Sequence, residues 1–161
     1  MYYAIVTLHV FAAVFWLGGT FFLAAVGAPV LRTVEPPTLR AQLFRAIGRA
    51  FRPLAWLAIA ILLATGVANL GLRGLLRPAL EDGSLWQTPY GHALAAKLAC
   101  VVLMIVLAVL HDFVIGPMAS RVQPGTPEAK RVARGTAWVA RANVGLGVAL
   151  LIAAVRLARG G

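Results

Sequence analysis

Acidic side chains are nearly missing from this chain: Asp and Glu together number five among 161 residues. Only 12% of positions carry a charge at all, about half the share of a soluble domain, so little of the chain is suited to a water-solvated surface. Cysteine occurs once, as Cys100 inside an apolar run. A disulfide framework is therefore excluded, and the redox compartment stays open. Histidine occurs three times. There is no Gly-rich phosphate loop, no CxxC pair and no nucleophile triad, which removes the usual signatures of soluble hydrolases.

What the chain does have is hydrocarbon. It is 61% hydrophobic, with a mean hydropathy of +0.85 at 17.0 kDa. A soluble protein of this size cannot hide that much apolar surface in one core, so the solvent must be a bilayer. The formal charge of +10 does not indicate nucleic acid, because the arginines cluster between apolar runs, as membrane topology requires. A span needs about 20 apolar residues. Four stretches meet this, at roughly 3–28, 54–74, 89–115 and 136–158. They predict an all-α integral membrane protein, a single four-helix transmembrane bundle over 1–161. The first stretch lacks a basic leading region and is longer than a signal-peptide core, so it reads as a retained helix. Pro29 and Gly116-Pro117 should close the first and third helices, Pro53 should precede the second, and Thr88-Pro89 should cap the third.

The first connection carries Arg32, Arg40, Arg45, Arg49 and Arg52, and the third carries Arg121, Lys130, Arg131 and Arg134. The positive-inside bias makes both cytoplasmic, which gives an N-out, C-out topology. In PPTLRAQLFRAIGRAFRP, Leu39, Leu43, Ile47 and Phe51 recur every four residues. This predicts a cytoplasmic amphipathic helix lying on the inner leaflet between helices 1 and 2. A cytoplasmic extension of helix 2 is the alternative.

With that topology, His9 and Lys97 each lie about 9–12 Å below their helix starts, and Asn69 returns to the same outer half. His92 is shallower. His111 and Asp112 lie about 21 Å deeper than Lys97, at the inner end where Arg141 begins the fourth span. An unpaired charge there is expensive, so Asp112 and Arg141 are expected to form a structural ion pair. Lys97 and His111 are fourteen residues apart and share a helix face. Lys97 either faces the bundle interior or snorkels to the outer headgroups. Cys100 and Met104 read as packing residues, and Gly18-Gly19, Gly66 and Gly145-x-Gly147 as close helix contacts.

A histidine facing a lysine or second histidine across a four-helix bundle suits b-type haem. His9 would be the iron's axial ligand, and Lys97 or His92 the candidate for the second. Asn69 would be a secondary contact, and His111 an alternative or second-site ligand. Copper is the competing cofactor. Cu(I) prefers sulfur donors, and the methionines are Met1, Met104 and Met118, with no sulfur cluster at the outer end.

Two segments carry a resemblance. LHVFAAVFWLGGTFFLAAVGAPVLR (8–32) resembles the first helix of CopD-like copper-resistance membrane proteins, and TPYGHALAAKLACVVLMIVLAVLH (88–111) resembles their later helix with its YG-x4-K motif. The same His and Lys skeleton is similar to that of HemJ-type protoporphyrinogen oxidases, in which the two residues are associated with haem b. The resemblance implies a multi-pass protein of a bacterial-type inner membrane, binding haem b and acting in membrane redox or electron transfer. If it is an enzyme, it would be a haem-dependent oxidoreductase. Copper uptake or resistance is the alternative, and an accessory subunit of a larger membrane complex a third. The implied partners are the lipid bilayer, a periplasmic copper chaperone or redox partner, and further copies or subunits, with no nucleic acid.

Overall fold

Two Thr-Pro pairs start the second half of the fold in the same way. Thr88 Oγ1 accepts from the Gly91 N–H at 3.0 Å, and Thr126 Oγ1 accepts from the Ala129 N–H at 3.2 Å. In each case a proline follows in the first turn, where its missing N–H costs nothing. The computed structural model describes residues 1–123 and 125–160. Its long helices are α1 (Tyr2–Arg32), α2 (Pro37–Leu72), α3 (Pro89–Arg121) and α4 (Pro127–Ala158), all long and apolar enough to cross a membrane. At 31 to 36 residues each, they run about 46–54 Å and overreach a hydrocarbon core of about 30 Å. Hydropathy marks only the lipid-buried middle of each helix.

Two prolines expected to end helices do not. α1 continues past Pro29 and α3 past Pro117, and each is preceded by a π-helical turn, Leu23–Gly27 and Leu110–Ile115. A proline clashes with the carbonyl four residues back and leaves it without a donor. Those carbonyls belong to Ala25 and Phe113, inside the two wide turns, where the looser winding accommodates the ring. The expected surface helix is also corrected. Pro37–Leu72 is one helix with Pro53 inside it, so the arginine-bearing segment is an extension of the second span. Pro53 deprives only the Arg49 carbonyl of its partner, on an exposed turn.

The helices form an antiparallel bundle in which α1 packs chiefly on α2 and α3 on α4. Trp16, Leu17, Ala58, Ile59, Met104 and Leu150 make a core shared by all four, and Met104 is fully buried. Three glycines permit close approach. A Cβ on Gly19 would come 2.6 Å from the Phe51 ring and one on Gly147 2.7 Å from Phe21, while one on Gly91 would run into the Leu85 backbone carbonyl. Gly18 and Gly145 have open space instead. The outer faces stay apolar: Phe11, Leu57, Val102 and Ile152, one from each helix, are 70, 57, 58 and 55% exposed. Only hydrocarbon solvates such a surface.

Candidate functional site

The end of the bundle that carries the N-terminus is fastened by one cation. Arg73, just beyond α2, donates to the Tyr2 hydroxyl at 2.8 Å and the Tyr90 hydroxyl at 3.5 Å. Its guanidinium also lies 5.9 Å from the Tyr2 ring centroid. The bond to Tyr2 holds the Arg73 pKa above its ordinary value, so the cap stays charged. Because Tyr2 and Tyr90 meet the same group, they are level, and His9 and Lys97 each follow seven residues later. Both therefore lie about 10.5 Å further in, on the helix faces their tyrosines occupy. Lys97 stands within electrostatic range of both His9 and Arg73. The heptad count thus brings His9 and Lys97 to one level, on parallel helices.

α2 supplies the partner of the histidine. His9 Nδ1 lies 2.7 Å from Thr65 Oγ1, and Thr65 gives its one proton to the Ile61 carbonyl at 2.6 Å. The hydroxyl is then an acceptor towards His9, so Nδ1 carries the proton and Nε2 keeps its lone pair. No hydrogen bond occupies Nε2 among the described residues. Gly66 lies beside the ring, where a Cβ would stand 3.7 Å from Cε1. One turn nearer the cap, Asn69 presents a buried Oδ1 that has no partner. Thr65, Asn69 and Arg73 are spaced four residues apart and form one polar stripe on α2. His9 Nε2 and Asn69 Oδ1 are therefore two unpartnered Lewis bases on neighbouring helices, at levels below the Arg73 cap.

The other histidines stand apart. His92 is exposed in a groove of about 370 Å³ between α3 and α4, lined also by Cys100, Arg156 and four alanines; His9 does not line it. His111 is exposed near the opposite end, about 21 Å from the Lys97 level, where its Nδ1 pairs with Asp112 Oδ1 at 3.0 Å. Distance makes it unable to serve the His9 site. Asp112 does not reach Arg141. Its other oxygen accepts from Trp56 Nε1 at 2.9 Å, and Arg52 donates to its backbone carbonyl at 3.2 Å. Arg141 instead lies 5.4 Å from the Trp138 ring centroid. Trp56 from the second span and Arg52 from its extension meet Asp112 first, so the acid is satisfied without Arg141.

Between the two polar ends stand Trp16, Ile59 and Met104, at 4, 5 and 0% exposure. Met104 follows Lys97 by one heptad and Trp16 follows His9 by one. Among the described residues, no three of His, Cys, Asp and Glu gather where they could hold a metal ion. His9 thus stands without a cluster of His, Cys, Asp or Glu beside it, among supporting polar groups. Sequence reasoning missed Thr65, Trp56 and the Tyr2–Arg73–Tyr90 cap. Their signal was spacing: Thr65 sits eight residues before Arg73, and the two tyrosines sit one heptad above His9 and Lys97.

Comparison with known proteins adds an independent line. The profile of the family described as copper resistance protein D matches residues 45–157, which includes α3 and nearly all of α4 and leaves α1 with His9 outside. An uncharacterized protein of Aquifex aeolicus (strain VF5) is 28% identical over 155 residues, covering 95% of this chain and 92% of its own. No solved structure matches the chain.

Proposed function

Because this chain belongs to the copper resistance protein D family, we propose that it handles copper within the membrane, in uptake or resistance. The observation that carries this reading is the pair of unpartnered Lewis bases, His9 Nε2 and Asn69 Oδ1, beneath the Arg73 cap. Imidazole nitrogen suits copper, and a hydrogen bond from the ring's other nitrogen, here Nδ1–H to Thr65, orients the ring and raises its basicity. A cargo ion must be held weakly enough to leave. One imidazole, one amide oxygen and a nearby Lys97 ammonium meet that condition, since the ammonium repels a resident cation. In the N-out orientation the site opens to the periplasmic side, where a copper chaperone would deliver or collect the ion. The Trp16–Ile59–Met104 layer separates it from the inner end.

Cells producing wild-type protein should differ from cells producing His9→Ala in copper accumulation and copper tolerance at equal membrane abundance. Identical copper content and tolerance in the two would count against the reading.

A second reading, haem b between His9 and Lys97, is supported by the resemblance to HemJ-type proteins and by the shared level of the two nitrogen bases. The donor set fits: His9 would hold the iron through Nε2, and Lys97 would offer a second nitrogen or pair with a propionate. Haem would supply one-electron chemistry. Thr65 would fix the imidazole tautomer, and the Arg73 cap would limit access of water. Soret and α bands in protein purified from haem-replete cells, lost in His9→Ala, would favour this reading over copper.

A further inference from the structure

Near the end opposite the Arg73 cap, a groove of about 400 Å³ is lined by Arg32, Ala133, Arg134, Ala137, Trp138 and Arg141. Arg32 comes from the last turn of α1. The other five lie on one face of α4, since Arg134, Trp138 and Arg141 are spaced by four and three residues. Two helices distant in sequence thus bring three guanidinium groups to one concavity, and no carboxylate lines it.

None of the three has an ion-pair partner among the described residues. The chain's few acids are engaged or placed elsewhere. Glu35 pairs with Arg40 and Glu81 with Arg77. Asp82 accepts from the Ser84 N–H, Asp112 is held by His111 and Trp56, and Glu128 is exposed in the first turn of α4. The arginines also spend little of their donor capacity on the protein. Arg134 makes a 3.5 Å contact to the Lys130 carbonyl. Arg141 stacks on Trp138, which leaves its in-plane N–H groups free. At Arg32 it is the backbone carbonyl that receives Arg40, at 3.0 Å, not the side chain.

The groove's level identifies its medium. Apart from Asn143, α4 is free of polar side chains between Arg141 and Arg156, and Trp138 is 69% exposed, as an aromatic at the hydrocarbon–headgroup boundary would be. Converging guanidinium groups that repel one another are stabilised by an anion that several N–H donors can share, and phosphate oxygens match that fork geometry.

We propose that this groove binds the phosphate headgroup of an anionic phospholipid, with Arg32, Arg134 and Arg141 donating to its oxygens and Trp138 packing against the glycerol and upper acyl region. The site is independent of the copper reading and of His9. Basic pockets of this kind between helices are suited to acidic headgroups. A headgroup here would bridge α1 to α4, which pack on each other less extensively than either does on its hairpin partner.

The test is native mass spectrometry and thermal unfolding of the full chain in detergent, with phosphatidylglycerol, phosphatidylcholine or inorganic phosphate added. Wild type should retain phosphatidylglycerol and unfold at higher temperature with it than with phosphatidylcholine. The Arg134→Gln/Arg141→Gln double variant should weaken that retention by about 10- to 30-fold. Both arginines are exposed, so the variant is expected to fold, and Arg77→Gln, at the other end of the bundle, is the control that should retain lipid as wild type does. Equal retention of phosphatidylcholine, unchanged retention in the double variant or equal loss in Arg77→Gln would overturn the proposal. So would protection by inorganic phosphate matching that by the lipid, which would assign the groove to a soluble anion.

Discussion

Replacing Thr65 with valine isolates the role of one hydroxyl. Valine has nearly the volume and shape of threonine, so the site, 7% exposed, gains no cavity. What it loses is the 2.7 Å contact to His9 Nδ1, because the bond from Thr65 to the Ile61 carbonyl is internal to α2 and a helical carbonyl keeps its backbone donor. The imidazole N–H then loses its short acceptor and keeps only its interaction with the Leu62 carbonyl, at a cost of about 1 kcal/mol in stability. The ring is also free to rotate and to exchange its tautomer, so Nε2 no longer points where the bundle set it. Loss of an outer-shell partner of a ligating histidine weakens metal affinity by about 10- to 100-fold, or roughly 1.4–2.7 kcal/mol. Competition titration of copper against a chromophoric chelator would measure this, with Thr65→Ser restoring most of the affinity because it keeps the hydroxyl. If Thr65→Val bound copper as tightly as wild type while His9→Ala did not, the argument that Thr65 sets the ligand would be refuted.

Three further outcomes follow from the packing and the polar ends. Gly91→Ala should destabilise by about 1–3 kcal/mol, since its Cβ meets the Leu85 carbonyl, while Gly18→Ala, in open space, should be neutral or stabilising; paired thermal melts in one detergent decide this. Trp56→Phe removes the donor to Asp112 Oδ2 and should cost about 1–3 kcal/mol, more than Arg141→Gln, reversing the order that an Asp112–Arg141 pair requires. Tyr2→Phe removes the hydroxyl that raises the Arg73 pKa, and a raised arginine contributes stability that is present below its unfolded pKa and lost only as pH rises through the higher folded one. The destabilisation by Tyr2→Phe should therefore be constant from about pH 6 to 9, and a melt series showing it vanish in that window would contradict the cap.

The similar level of His9 and Lys97 was legible in sequence because helix rise is constant and both stand a similar number of residues from their helix starts. The four spans were legible for a similar reason: length and apolarity alone exceed what a soluble core absorbs. Proline was a poorer guide. Pro29, Pro53 and Pro117 all mark places where a soluble helix would stop, yet here a wide turn or an exposed carbonyl absorbs the cost, and neighbouring helices and lipid favour continuing. The partner of Asp112 was misjudged because charge matching along a sequence ignores neutral donors. Trp56 reaches the carboxylate from within the second span, and only the packing of α2 against α3 brings the two together. Thr65 was invisible for a different reason. A threonine in an apolar helix already has a partner in its own backbone, and its second role exists only once α1 packs against it.

The copper bound by the purified full chain at equilibrium dialysis against excess ion tests the central claim most directly. The account predicts near-stoichiometric copper in the wild type and almost none in His9→Ala, with both proteins folded by circular dichroism. Equal copper in the two, or none in either, would contradict it.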